Sequence, residues 1–432
     1  MSSQSADVII IGAGVIGSSI AYEMARAGHS VLVLDRTSAP GMGSTSASSA
    51  VVRFNYSTWT GVVTAWESKF RWEAWEDYLG GTDEGGLARF HRTGGLCLDA
   101  PNMSAETVLA LFDQVGVPYE LWSPEDLRLR MPIVDTGKHY PPTPVTDDAF
   151  WDEPAESLGG YWTPDSGFID DPAFAAHNLM AAAVRHGARF RFGSTVTAVR
   201  RSGDRVRGVT LDDGTVLDGP VLVNAAGPHS GRINELAGAL DDFQITTRPL
   251  RQEVHEIPGL SGYHPPLPVV ADLDLGTYFR STPSGNILVG GTEPECDPLT
   301  WLADPDEVRD TPTQAVYEAQ TYRVARRVPE VTVPNSPRGV VGVYDVSTDW
   351  IPIYDRTAVD GYYVAIGTSG NQFKNAPVVG ELLRTLIEAV ENGHDHDEIP
   401  VTVPLRYTGH VADLGHYSRL RRPSKTSGSV MG

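Results

Sequence analysis

Lys374 is the one strong charge in "GTSGNQFKNAP", Gly367 to Pro377, where it stands among small and polar residues just ahead of an apolar helical pattern. A cation placed there can bind and orient an anionic group without supplying any bond-breaking chemistry. On these residues alone the more ordinary reading is a surface lysine at a helix entrance. A second chemical signal lies far away in the sequence. Gly12, Gly14 and Gly17 form G-x-G-x-x-G between an apolar strand pattern and a helical one. The first glycine permits a tight turn, the second lets the backbone approach a pyrophosphate, and the third lets helix and strand pack closely. The phosphates would sit at the positive end of the helix. Asp35 ends the next apolar run, where an acceptor for a ribose hydroxyl is needed.

These residues need elements to hold them. "DVIIIGAGVIGSSIAYEMARAGHSVLVLDR", residues 7–36, reads as strand, glycine turn, helix and strand, one βαβ unit that binds a dinucleotide. A nicotinamide enzyme would continue with further βα units. Here "DRTSAPGMGSTSASSA" follows directly, and the small residues Gly43, Ser44, Thr45 and Ser46 suit close approach to a bulky cofactor, which favours FAD. The pattern predicts helices in "TAWESKFRWEAWEDYLG", where Trp66, Phe70 and Trp75 read as packing, and in "DPAFAAHNLMAAAVRHG". Turns at "SGD" and "DDG" predict a β-meander that returns to a buried strand at "PVLVNAAG". In "PVVGELLRTLIEAV", Val378, Leu382 and Leu386, with Val379, Leu383 and Ile387, lie along one helical face. The polar stretch after about 410, ending "RRPSKTSGSVMG", is expected to be frayed. "GHDHDE", 393–398, reads as a solvated turn and not a metal site. There is no internal repeat.

Composition narrows the partners. The 432 residues carry 34 Lys and Arg against 55 Asp and Glu, a formal net charge of −21, so nucleic acid is not the expected partner. An anionic substrate would need a local positive pocket set against that field. Cys97 and Cys296 form no Cys-x-x-Cys pair, which indicates neither a disulfide framework nor a redox dithiol and makes a cytoplasmic location the default. The longest early apolar run is broken by glycines and too short to span a bilayer, so no membrane or targeting segment is expected.

Taken together, the fingerprint with Asp35 and Arg36, "GSTSASSAVVRFNYS", "SGFIDDPAF", "STVTAV", "VLVNAAGPHS" and "GVYDVSTDWIPIY...GYYVAIGTSGNQFK" resemble the D-amino-acid oxidase and sarcosine oxidase family of FAD-dependent oxidoreductases. "SSAVVRFNY" and "TSGNQFK" look most like the sarcosine oxidases. The resemblance implies an α/β fold: a discontinuous Rossmann-like FAD-binding domain from 1–60, 151–245 and 335–400, an antiparallel-sheet α+β substrate domain from 61–150 and 246–334, and a C-terminal extension, 401–432. It implies cofactor contacts at Gly43, Ser44, Thr45, Ala50, Val51, Val196, Ala226, Gly227, Gly342, Tyr344 and the run Gly370, Asn371, Gln372, Phe373 and Lys374. It assigns Arg53 and Lys374 to the substrate carboxylate, with Tyr56 and Phe279 as candidate walls. The activity implied is oxidation of a small amine or amino acid to an imine by hydride transfer to FAD, with O2 or another electron acceptor.

The sequence also departs from that pattern. Gly342 stands where monomeric sarcosine oxidases carry a flavin-linked cysteine, and Ala47 falls near a linkage histidine of dimethylglycine dehydrogenases, so FAD is expected to be non-covalent. Leu288 aligns with a lysine used for oxygen activation, Ala50 with an arginine and Thr292 with a substrate-facing histidine. Sarcosine itself is therefore not the expected substrate. A larger secondary amine, a cyclic imino acid or a D-amino acid stays open, as does a catalytically altered flavoprotein serving as a binding or assembly factor.

Overall fold

A computed structural model describes residues 5–262 and 267–431. The glycine fingerprint forms the predicted unit: strand β1 (Val8–Ile11), helix α1 (Val15–Arg26) and strand β2 (Val31–Leu34). β1 lies inside a six-stranded sheet, parallel to β2 on one side and to Val221–Asn224 on the other. Arg189–Arg191 extends the sheet beyond β2, and Tyr362–Ile366 extends it beyond Val221–Asn224. Ile353–Arg356 closes that edge in antiparallel pairing.

β1 and β2 are apolar at every position because both of their faces are covered. Val8, Ile10, Val31, Val33 and Val223 share one core with α1 and with the helices Pro172–Arg185 and Ala376–Glu391. Ile9, Ile11, Leu32, Leu34 and Leu222 point the other way, into a core completed by Val196, Val206, Val209 and Leu217. Those four residues belong to the three-stranded meander Val196–Ser202, Arg205–Leu211 and Val216–Asp218, as the turn signals predicted.

A nine-stranded sheet stands beside the first, antiparallel except where Val269–Asp272 runs parallel to Gly95–Leu98. Gly160–Thr163 and Gly339–Ser347, which fall inside ranges expected for the FAD-binding domain, pair in this second sheet. One of its faces packs on helix Gln314–Arg327, in a core that holds Phe279, Val289, Tyr317 and Val324. No helix among the described residues is long and apolar enough to cross a membrane.

The stretch after 410 is not frayed. Thr402–Pro404 and Val411–Asp413 form a hairpin, and Arg419 reaches Asp242 (2.6 Å), Asp355 (3.1 Å) and Asp397 (2.8 Å). Arg421 pairs with Asp349 at 2.7 Å, and Val430 and Met431 are buried. The polarity that suggested solvation is matched by acids outside the stretch, of which Asp349 and Asp355 are buried. His396, in the stretch read as a solvated turn, is likewise buried and accepts the Val401 N–H.

Candidate active site

A cleft of about 510 Å3 runs between the two sheets. In one part of it the turn after β1 presents bare backbone. Gly12 has φ +107°, and a Cβ there would stand 2.3 Å from the Ala225 carbonyl oxygen, so glycine is required. Gly17 faces away from the cleft, where a Cβ would meet the Gly12 oxygen at 2.0 Å, and so serves the packing of the turn. Asp35 receives the Ala13 N–H at 2.7 Å through one oxygen and the Thr37 N–H at 2.8 Å through the other. Arg36 lines the same part and pairs with Asp306 at 2.6 Å. That hydrogen bond, with one from His229, holds the Asp306 carboxyl well below the usual range. Gly12, Gly14, Val196, Ala226 and Gly227 complete this wall.

Gly43, Ser44, Thr45, Ala50, Val51, Gly342 and Tyr344 line the middle. Thr45 Oγ1 accepts the Val15 N–H at 3.1 Å, and Ser44 Oγ donates to the Val343 carbonyl at 2.6 Å, so the small-residue loop is tied to both the glycine turn and the second sheet. Gly342 and Ala47 are neighbours: a Cβ at 342 would lie 2.9 Å from the Ala47 Cβ. Gly370, at φ +71°, packs flat on the Tyr344 ring, where a Cβ would come within 2.3 Å.

The cations meet around Tyr56. Lys374 Nζ lies 4.7 Å and the Arg53 guanidinium carbon 5.4 Å from the centroid of its ring. The run Gly370–Lys374 leads into the helix Ala376–Glu391, with Pro377 in its first turn. Ser68 and Trp72, on the helix Trp59–Glu73, hold the Lys374 carbonyl at 2.6 and 2.7 Å. Lys374 Nζ donates to the Asn371 carbonyl at 2.6 Å, and the Tyr56 hydroxyl donates to that same oxygen at 2.7 Å. Burial, then the nearby Arg53 charge, pulls the Lys374 ammonium well below its usual range, and burial lowers Arg53. Neither cation forms an ion pair among the described residues. Arg53 instead donates to the backbone carbonyls of Asn55, Val430 (2.6 Å) and Met431 (2.9 Å).

Two candidate walls are corrected. Phe279 is fully buried on the far face of its strand, against Tyr317 and Val324, because alternation along Thr277–Ser281 turns Tyr278 to the cleft and Phe279 away from it. Tyr56 lies behind the cations, not on the cleft wall, and burial pushes its hydroxyl up to about 12. Leu288 and Thr292 do not line the cleft either. No cluster of three or more His, Cys, Asp or Glu among the described residues could hold a metal ion.

The model of the FAD dependent oxidoreductase family, DAO, matches residues 7–386. The chain belongs to this family. It is a FAD-dependent oxidoreductase of the amino-acid and amine oxidase type, and the bare glycine turn with Asp35 beside it fits that cofactor. Among relatives of this DAO-family chain, the sarcosine oxidase subunit beta of Arthrobacter sp is 25% identical over 423 residues, covering 95% of this chain and 93% of its own. FAD-dependent oxidoreductase domain-containing protein 1 of Bos taurus is 26% identical over 433 residues, covering 90% and 82%. The L-proline dehydrogenase of P. horikoshii superposes with a TM-score of 0.75 at 22% identity, covering 97% of this chain and 98% of its own, which shows a shared fold.

Tyr278 on the cleft wall of this DAO-family chain, and two acids that hold cleft-lining segments from outside the wall, escaped the sequence reading. Tyr278 was missed by one position; its hydroxyl shares a 2.6 Å hydrogen bond with Ser49. Asp345 is buried, accepts the Gly367 N–H at 2.6 Å through its side chain and the Ser369 N–H at 2.8 Å through its carbonyl, and so fixes the turn leading to Gly370. Burial pushes its carboxyl up to about 7. An acid inside the apolar run "GVYDVS" was the available signal. Glu293 holds a left-handed backbone, φ +54°, and accepts from Gln252 Nε2 at 3.0 Å and from the Val430 N–H at 3.2 Å. Burial pushes it up to about 8.

Proposed function

We propose that this chain oxidises a carboxylate-bearing amine or amino acid to an imine at the cation part of the cleft. The observation that carries the reading is the meeting of Arg53 and Lys374, buried, beside one aromatic ring and in no ion pair among the described residues. A guanidinium fork and a point-charge ammonium together bind a carboxylate strongly and fix its direction. Burial removes the water that would otherwise screen both charges, and Tyr56 and Asn371 keep the ammonium from swinging out. Gly12, Gly14, Asp35, Ala226 and Gly227 would hold the nucleotide part of FAD, and Gly342, Tyr344 and Gly370–Phe373 its ring. FAD, when bound, supplies the hydride acceptor for the C–H bond next to the amine nitrogen. The two cations favour the uncharged amine, whose lone pair the oxidation requires, so no side-chain base is demanded. With glycine at 342 and alanine at 47, neither position offers a side chain for covalent attachment.

One observation favours a second reading, a flavoprotein that binds a partner without turnover: the Arg53 donors are satisfied by the carbonyls of Val430 and Met431. Anaerobic mixing with amine and amino-acid libraries, followed by flavin absorbance, separates the two. We expect bleaching by a carboxylate-bearing amine. Lys374→Met should raise that compound's apparent Kd by about a hundredfold while FAD stays bound, since one partner of a desolvated ion pair is removed. Acid precipitation should leave the colour in the supernatant. Absence of bleaching by any compound supports the second reading, and unchanged affinity in Lys374→Met refutes the carboxylate role.

A further inference from the structure

The segment that satisfies Arg53 is held through both ends of a single residue's backbone. Val430 gives its N–H to Glu293 Oε2 at 3.2 Å, while its carbonyl receives Arg53 at 2.6 Å and the next carbonyl, of Met431, receives Arg53 at 2.9 Å. A carboxylate facing a nitrogen and a guanidinium facing oxygen, with one Cα between them, is the set of partners that an α-amino acid requires. The nitrogen, Cα and carbonyl carbon of a peptide residue are the same skeleton as the amine, Cα and carboxylate of a free amino acid. We propose that the backbone of Val430 is an internal stand-in for an α-amino or α-imino acid. On substrate entry Glu293 receives the amine nitrogen, Arg53 takes the carboxylate, and Ser427–Met431 withdraws. This rests on the carboxylate reading above and narrows it to acids whose nitrogen is on the α carbon.

Three further observations support the exchange. Gln252 Nε2 holds the other Glu293 oxygen at 3.0 Å, so the carboxyl is already aimed at the nitrogen position. The segment is anchored upstream, where Arg421 and the Ser424 N–H bind Asp349. Beyond Ser424, every hydrogen bond from the described residues of the segment to the rest of the protein goes to Glu293 or Arg53. Release of two neighbours therefore removes these hydrogen bonds together and leaves the packing of Val430 and Met431 as the remaining hold. The substrate also has the electrostatic advantage. It offers a charged carboxylate where the segment offers neutral carbonyls, and an ammonium, or an amine sharing its proton, where the segment offers an amide N–H. Burial pushes Glu293 up to about 8 despite the Arg53 charge, and a protonated nitrogen arriving beside it would favour the carboxylate.

The test uses the full flavin-loaded chain. Glycine, D-alanine and L-proline are titrated anaerobically against glycolate, D-lactate and tetrahydrofuran-2-carboxylate, which keep the acid and replace the nitrogen by oxygen, with the flavin spectrum as the readout. Glu293→Gln should raise Kd about tenfold for nitrogen acids and less than about twofold for oxygen acids, because only the former lose a charged partner. Val430→Pro removes the N–H that Glu293 accepts and should tighten both classes about threefold by relieving internal competition. Independently of any variant, hydrogen exchange in the peptide spanning 426–431 should accelerate when a nitrogen acid binds. Equal weakening of both classes by Glu293→Gln, or bound acid with unchanged exchange, overturns the proposal. If oxygen acids bind, lose affinity in Lys374→Met and ignore Glu293→Gln, the carboxylate reading stands and only this inference fails. If no acid perturbs the flavin of either the wild type or Val430→Pro, both fall together.

Discussion

The Gly12–Gly14 turn and the Arg53–Lys374 pair line the same cleft but are built from opposite materials. At the turn, function is carried by backbone and by the absence of side chains. Each requirement falls on residues of one βαβ unit that are close in sequence: a turn that only glycine can make, a helix that starts at once, an acid at the end of the next strand. At the cations, function is carried by side chains from segments hundreds of residues apart, brought together by two sheets and by the helices Trp59–Glu73 and Ala376–Glu391. At Gly12 the first kind of site tolerates no added atom. The second tolerates substitution around it as long as the cations stay desolvated and aimed.

That difference can be broken most severely at Gly12. A side chain there meets the Ala225 oxygen and sits on a left-handed backbone. Gly12→Val should cost roughly 3 kcal/mol or more, through both clash and strain. We expect a protein that purifies without colour or aggregates. Retention of stoichiometric FAD at wild-type melting temperature would show that the turn is not the cofactor cradle.

The same contrast explains which parts could be read from sequence. The turn, Asp35 and the covered strands were legible because their signals are local: periodicity, spacing and glycine. Lys374 could be singled out by its surroundings, but its bland reading prevailed until the wider resemblance paired it with Arg53. Tyr278 was displaced to Phe279 because both faces of Thr277–Ser281 are buried, which removes the polar alternation that fixes which side faces a cleft. The segment after 410 was misjudged because its arginines meet Asp242, Asp349, Asp355 and Asp397, of which Asp349 and Asp355 are buried, a match between distant positions that composition cannot reveal.

Asp345 links the two kinds of site, since it is a side chain whose task is to hold backbone. Burial holds its folded pKa at about 7, above the ordinary carboxyl value of 3.8, so the native state binds the extra proton between those limits. Stability from this group is therefore fully present below about pH 4 and is lost as pH rises through about 7, and Glu293, raised to about 8, adds the same sign. A shift near three pH units corresponds to at most about 4 kcal/mol. Asp345→Asn, which keeps an acceptor for the Gly367 N–H, should match wild type near pH 4 and melt about 3 °C or more higher at pH 8. A parallel pH dependence of the two proteins would show that the carboxyl is ionised without cost.

The smallest effect sharpens the comparison at a residue that the sequence reading placed in the site. Phe279 packs on Tyr317 and Val324, away from the cleft, and its strand neighbour Tyr278 faces the cavity. Phe279→Leu keeps an apolar side chain of similar reach and should cost about 1 kcal/mol through imperfect repacking. Substrate affinity, read by flavin absorbance, should stay within about twofold of wild type, because side chains on opposite faces of one strand share no partner. Tyr278→Phe should do the reverse, sparing stability while changing affinity, since it removes the hydroxyl shared with Ser49 at the cleft wall. If Phe279→Leu alters affinity as much as Tyr278→Phe does, the strand transmits strain between its faces, and the division between packing and site that the two sheets create does not hold at this edge.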